Sequence, residues 1–213
     1  VLPSVVIADA ELTVGMPPAL TAGTGMDAFA HCLEAYCSPH YHPMSQGLAL
    51  EGMRLVKEYL PRAFATPDDL EARANMMAAA MMGATAFQKG LGAIHALSHP
   101  IGAHYNTHHG TTNAVVMQTV LRFNRPAIED RLEQAAAYLG IDGGYDGFYA
   151  FVGELNAGLA IPRTVADMGV TDADIDRLLA GTLSDPSCGG NPIAMTAENT
   201  RPLIEELLKA QAR

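Results

Sequence analysis

The sequence predicts an all-α protein, built as a multi-helix bundle. The chain has 213 residues, of which 49% are hydrophobic and 17% charged, so it can bury a sizeable core in one or two domains. It is rich in Ala, Leu, Met and Glu, which favour helix. Its 7 Tyr, 6 Phe and absent Trp leave little material for a sheet, and runs of β-branched residues are scarce.

Proline, glycine and capping residues divide the chain into eight or nine expected helices joined by short loops. Proline fits a first helical turn, and Thr or Asp can accept hydrogen bonds from the free N–H groups there. Glycine is typical of helix ends. Helical blocks are expected at about residues 19–36, 44–65, 66–88, a histidine-rich stretch after 92, then 110–123, 125–139, 145–159, 171–183 and from 196 onward.

The first residues differ from the rest. Residues 5–7 are the only strand-like run, and we interpret them as the last strand of a domain that is otherwise absent. The chain starts without Met and without a basic stretch leading into an apolar one, so we expect a fragment with no signal peptide. We therefore assign residues 1–18 to a linker or a remnant of a missing N-terminal domain, and residues 19–213 to one helical domain.

Charge and cysteine content exclude several function classes. The formal net charge of −10 argues against nucleic acid or an anionic membrane as partner, because both select clustered Lys and Arg. No apolar run approaches the about 20 residues of a membrane span. Cys32, Cys37 and Cys188 are too few for a disulfide scaffold, so we expect buried small hydrophobes and a cytoplasmic location.

Five histidines fall within fifteen residues: His95, His99, His104, His108 and His109. The first two are four residues apart, so a helix places them on one face, where both could bind one metal or one could move a proton. Pro100 is expected to bend or end that helix. In a straight helix the first and last of the five would lie about 21 Å apart, so a shared site requires a loop between His99 and Gly110.

A second candidate pair lies earlier in the chain. Asp27 and His31 are four residues apart on a predicted helix, and Asp27 has apolar neighbours. A buried carboxylate is costly without a cation or several donors. Joined with two of the later histidines, this pair would form an oxygen and nitrogen site without thiolate, which favours Fe²⁺, Zn²⁺ or Mn²⁺. Such an ion stays Lewis-acidic and can bind an alcohol or carbonyl oxygen.

Three motifs resemble the iron-containing (group III) alcohol dehydrogenases. They are residues 25–36 (GMDAFAHCLEAY), residues 90–110 (GLGAIHALSHP through YNTHHG) and the turn at 189–192 (GGNP), in the family's order. The resemblance implies the C-terminal, dehydroquinate synthase-like helical domain of that family. It also implies that the N-terminal α/β domain, with its dinucleotide-binding Gly-rich loop, is absent.

The resemblance further implies a role for each site residue. Asp27, His31, His95 and His109 match the family's metal ligands, and His99 matches a histidine beside the nicotinamide, with a catalytic and cofactor-binding role. Spacing alone does not choose among the later histidines. The segment 87–89 would line the substrate pocket. The implied cofactors are Fe²⁺, with Zn²⁺ as an alternative, and NAD or NADP in the complete enzyme.

The expected function is therefore the metal-binding half of an NAD(P)-dependent enzyme that interconverts an alcohol and an aldehyde or ketone. The isolated chain is expected to be inactive without its cofactor-binding domain, and to self-associate as a homo-oligomer. The nearest alternatives are a zinc-dependent glycerol-type dehydrogenase and a maleylacetate-type reductase. From other classes, a metal-dependent hydrolase or a non-catalytic metal-binding module stays open.

Overall fold

The computed structural model describes residues 3–209 as a helical bundle with no strand in that range. The all-α prediction is therefore confirmed. The α-helices in the described residues, in chain order, are α1 Pro18–Cys37, α2 Pro43–Ala65, α3 Leu70–Ala86, α4 Ala93–Tyr105, α5 His109–Leu139, α6 Gly144–Gly158, α7 Ile175–Ser184 and α8 Ala197–Lys209.

The helix starts follow the capping residues of the sequence. Asp69 accepts a hydrogen bond from Ala72 N at the start of α3, and Asp174 does the same for Arg177 N at the start of α7. Pro18 is the first residue of α1, where its missing N–H costs nothing. At the end of α5, Gly140 adopts φ +65°, a left-handed conformation that glycine reaches without strain.

Helix α1 is the centre of the bundle, and most of its side chains are buried. It packs against α2, α3 and α5. Glycine allows the closest of these approaches, because a Cβ on Gly110 would overlap the carbonyl oxygen of Gly23 and lie 2.9 Å from Asp27 Cβ. The start of α5 therefore lies directly against the middle of α1, which positions the candidate site.

One sequence expectation about the helices is wrong. The blocks at 110–123 and 125–139 form one helix, α5, which passes through Pro126 because buried side chains on both halves, such as Leu121 and Leu132, hold it against the core. At Pro100, where a bend or an end was expected, α4 does not end but continues to Tyr105. The buried Pro100 ring faces α7, where a Cβ on Gly181 would lie 2.8 Å from it.

Residues 5–7, interpreted as the last strand of an absent domain, are irregular in the described chain, and their side chains are 68–86% exposed. No partner strand lies among the described residues, so their β propensity has nothing to pair with. Cys32 and Cys37 are buried as expected, whereas Cys188 is only half-buried. None of the helices described combines the length and hydropathy that crossing a bilayer requires.

Candidate metal centre

Three helices bring the predicted site residues together. Helix α1 presents Asp27 and His31 one turn apart, α4 presents the buried His95, and α5 begins at His109. Between α4 and α5 the chain reverses at Asn106, whose φ of +54° is left-handed. This reversal is the loop that the spacing of the histidines requires.

Asp27 is the common neighbour of the three imidazoles. Its Oδ1 lies 3.3 Å from His109 Nε2, 3.7 Å from His95 Nε2 and 3.9 Å from His31 Nε2. One ligand atom each from Asp27, His31 and His95 also lies within 4.8 Å of the other two. The His109 and His95 ring centroids are 5.2 Å apart, so His109 belongs to the same cluster.

These distances suit a divalent ion. Nitrogen and oxygen ligands lie about 2.1 Å from Zn²⁺, so two ligands of a tetrahedral site are about 3.4 Å apart. The separations of 3.3 to 3.9 Å from Asp27 Oδ1 to the three Nε2 atoms require only small side-chain adjustments. The donor set of one carboxylate and three imidazoles, without thiolate, fits Fe²⁺ or Zn²⁺.

Asn113, one turn after His109, lies against three of the candidate ligand atoms. Its Nδ2 lies 2.7 Å from Asp27 Oδ1, 3.2 Å from His95 Nε2 and 3.1 Å from His109 Nε2. These three atoms surround one amide nitrogen, which donates to Asp27 Oδ1. Asn113 is fully buried, and its Oδ1 has no hydrogen-bond partner among the described residues.

Glu34 orients His95 from the opposite side of the ring. Its Oε2 lies 2.6 Å from His95 Nδ1, and its Oε1 accepts a hydrogen bond of 2.6 Å from Ile94 N at the start of α4. With the proton on Nδ1, the Nε2 lone pair is free for a metal. Glu34 is buried, so this carboxylate also offsets the positive end of α4.

The charges of the cluster have clear physical causes. Burial opposes ionisation of Asp27, but hydrogen bonds from His109 and His95 outweigh it and hold its pKa well below the usual range. Burial lowers the pKa of His31, although Asp27 counteracts it. Burial also opposes protonation of His95, but Asp27 and Glu34 raise its pKa to about 9. The metal-free cluster thus holds a proton that a cation can replace.

His99 lies at the edge of the cluster. Its ring stacks on His109 with centroids 5.3 Å apart, and its side chain is 41% exposed. Its Nδ1 lies 2.7 Å from Asp185 Oδ2, and Asp185 Oδ1 accepts a hydrogen bond from Ser187 N. The carboxylate therefore orients the ring, and a group that is both oriented and exposed can contact a bound substrate or cofactor.

The other histidines of the stretch have different positions. His104 is exposed near the end of α4, and His108 caps α5 by accepting from Thr111 N. In segment 87–89, Phe87 lies 5.1 Å from His31 between ring centroids. Lys89 does not line the site, because its buried ammonium donates to three carbonyls at the end of α1, those of residues 35, 36 and 38.

A match to a protein-family model shows which family this chain belongs to. The model of the Fe-containing alcohol dehydrogenase family, C-terminal, matches residues 21–211. The chain belongs to the iron-containing alcohol dehydrogenase family. The match includes α1 from residue 21 onward, the described parts of α2 to α8, and all five predicted site residues.

Relatives within this alcohol dehydrogenase family cover the chain almost completely. The 4-hydroxybutyrate dehydrogenase of Cupriavidus necator is 41% identical over 96% of the chain and 56% of its own length. The NAD-dependent methanol dehydrogenase of Bacillus methanolicus is 35% identical over 98% of the chain and 57% of its own. A solved 1,3-propanediol oxidoreductase superposes with a TM-score of 0.92 at 32% identity, over 97% of the chain and 56% of that structure. The chain thus spans about half the length of these dehydrogenases.

Sequence reasoning missed three residues that support the candidate site. Glu34 lies seven residues after Asp27, on the same helix face, and Asn113 lies four after His109, so helical spacing could have found both. Asp185 is 86 residues from His99 in sequence, and no local pattern connects them.

Proposed function

We propose that this chain is the metal-binding half of an NAD(P)-dependent alcohol dehydrogenase, in which Asp27, His31, His95 and His109 hold the ion. The observation that carries this proposal is the convergence of three imidazole Nε2 atoms within 3.9 Å of one carboxylate oxygen. Fe²⁺ is the expected ion because of the family, and Zn²⁺ suits the same donors.

The reaction proposed for the complete enzyme is the interconversion of an alcohol with an aldehyde or ketone. When bound, the metal supplies a Lewis acid for the substrate oxygen and the nicotinamide supplies or takes the hydride. Glu34 holds a proton on His95 Nδ1, which leaves Nε2 to the metal, and Asn113 donates a hydrogen bond to Asp27. Phe87, beside His31, places an apolar ring where the carbon chain of an alcohol would lie.

His99 is proposed to contact the nicotinamide and to move the alcohol proton toward solvent. Because the His99 ring is exposed, it can pass the proton to solvent. Asp185, at 2.7 Å, fixes the ring and stabilises an imidazolium. His99 is not proposed as a ligand, because it pairs with Asp185, whereas His31, His95 and His109 converge on Asp27.

The dinucleotide site is proposed to lie in the half of the relatives that this chain does not match. Relatives that span this half carry names such as NAD-dependent methanol dehydrogenase. A complete active site would then form at the junction of the two halves, with His99 facing it. Family membership favours this reaction over a hydrolase or a non-catalytic metal-binding module.

Metal analysis of ligand variants tests the assignment. We expect this chain to bind one Fe²⁺ or Zn²⁺, and His31→Ala, His95→Ala and His109→Ala each to weaken binding by at least about tenfold. His104→Ala is the matched control, since His104 is exposed outside the cluster. Unchanged affinity in two of the three ligand variants would refute the assignment.

Recombination tests the reaction. The chain mixed with a separately produced dinucleotide domain of a relative should reduce NAD(P)⁺ with a short alcohol, whereas the chain alone should not. His99→Ala should keep the metal but slow turnover by about 10²-fold. Ester or phosphate hydrolysis by the chain alone, without NAD(P), would instead support the hydrolase.

A further inference from the structure

A second feature, independent of the metal cluster, is an open cavity of about 240 Å³. It lies between α1, α2, α3 and the short 3₁₀ turn Ala10–Thr13. The cavity is smaller than the about 300–1,000 Å³ typical of drug-sized ligands, so it suits a short molecule. Apolar side chains form most of its wall: Met16, Ala28, Leu60, Ala63, Met76, Met77 and Ala80.

Arg73 is the one charged residue on this wall. It is only 3% exposed, and no carboxylate within residues 3–209 forms an ion pair with it. Its Nε donates to Pro67 O at 3.0 Å and its Nη1 to Thr21 Oγ1 at 2.9 Å. Its Nη2 is buried without a hydrogen-bond partner in the described chain.

An unpaired buried guanidinium is costly, because its charge loses hydration without gaining a counter-charge. Burial accordingly lowers the pKa of Arg73. The nearby carboxylate of Asp69 is engaged with Arg62, at 2.9 Å, and does not neutralise it. An anion that enters the cavity would supply the missing charge and the missing acceptor.

The apolar wall of the cavity favours a carboxylate with an alkyl chain over a phosphate. A phosphate would place further oxygens against methionine and leucine side chains, where they find no donors. The hydroxyls of Thr13 and Thr24 already donate to backbone carbonyls. A carboxylate has two oxygens that match the guanidinium edge, and an alkyl chain suits the remaining wall. Flexible methionine side chains can open to let the head group reach Nη2.

We propose that this cavity binds a short-chain monocarboxylate, with its carboxylate on Arg73 and its alkyl chain against Leu60, Met76 and Met77. The site is separate from the metal cluster, because Thr21, Gly25 and Ala28 line the cavity from a different face of α1 than Asp27 and His31. The proposal therefore holds whether or not the chain is half of a dehydrogenase.

Titration of metal-free chain with hexanoate tests the site, read by the methyl resonances of its methionines. We expect saturable shifts of Met16, Met76 and Met77, and at least tenfold weaker binding of hexanol and of inorganic phosphate. Arg73→Met should weaken hexanoate binding by about 10–100-fold, the range for a charged hydrogen bond. Arg177→Met, which removes an exposed arginine on α7, is the charge-matched control.

A second variant covers the case in which Arg73→Met does not fold. Ala80→Leu narrows the mouth of the cavity at an exposed helical position and leaves Arg73 intact. It should keep the chain folded and weaken hexanoate binding by at least about tenfold. The proposal is overturned if hexanoate causes no saturable shift, if hexanol binds equally well, or if a folded Arg73→Met or Ala80→Leu variant binds hexanoate as the parent does.

Discussion

Replacing Glu34 by Gln should weaken metal binding without removing any ligand. The two Glu34 oxygens each accept one short hydrogen bond, from His95 Nδ1 and from Ile94 N, both at 2.6 Å. A glutamine offers one acceptor and one NH₂ group. If its oxygen faces Ile94 N, its amide faces His95 Nδ1 and favours a proton on Nε2, where the metal must bind. If it flips, two donors meet at Ile94.

The size of the effect follows from this mismatch. Loss of an outer partner of a metal-bound histidine costs about 10–100-fold in metal affinity. Each factor of ten corresponds to about 1.4 kcal/mol. The metal-free chain should also lose about 1–3 kcal/mol of unfolding free energy, because one orientation replaces a charge-assisted hydrogen bond to His95 by a neutral one and the other leaves the donor at Ile94 N unpaired.

Competition with a chromophoric chelator measures the affinity, and urea unfolding of the metal-free chain measures the stability. Glu154→Gln, an exposed position on α6, controls for the loss of one negative charge. An affinity for Zn²⁺ within twofold of the parent in folded Glu34→Gln would show that this carboxylate does not set the state of His95.

Three further predictions concern the close contact between α1 and α5, the proton on His95, and the orientation of His99 by Asp185. Gly110→Ala should destabilise the fold by about 1–3 kcal/mol in urea unfolding, because its Cβ overlaps the Gly23 carbonyl, whereas Gly47→Ala, with open space around it, should not. Metal affinity should fall up to tenfold per pH unit below pH 9, because the raised pKa of His95 makes the metal displace a proton. Calorimetry in two buffers of different ionisation enthalpy measures the release of that proton. Asp185→Asn should leave metal affinity unchanged and lower turnover in the recombined enzyme by at least about tenfold, with a metal loss contradicting this.

The fold was largely predictable because the amino-acid composition and the positions of proline, glycine and capping residues both predict helices. Caps such as Asp69 and the left-handed Gly140 lie where the sequence places helix ends. The error in the helices arises at Pro126, where the sequence predicts two helices instead of one. Pro100 and Pro126 each lose one backbone hydrogen bond, but packing on both sides of them keeps α4 and α5 continuous. Such tertiary contacts have no local signature.

The site was predictable only in part. Spacing identified Asp27 with His31 and predicted a loop after His99, but the choice of His109 among the later histidines came from the family resemblance. The structure supplies the physical reason. Because Asn106 reverses the chain, His109 becomes the first residue of α5 and faces Asp27, whereas His108 becomes its cap.

The supporting residues suggest that metal binding does not depend on the dinucleotide half. Glu34, Asn113 and Gly110 lie on α1 and α5, the helices that also carry Asp27, His31 and His109. The contacts that orient the cluster among the described residues are therefore made by the helices that carry it. Adding the recombined dinucleotide domain should change turnover from zero to a measurable rate but change the Zn²⁺ affinity by less than about threefold, since the four proposed ligands and these hydrogen-bond partners lie in this chain. A large gain in affinity on recombination would mean that the cluster is incomplete without the other half.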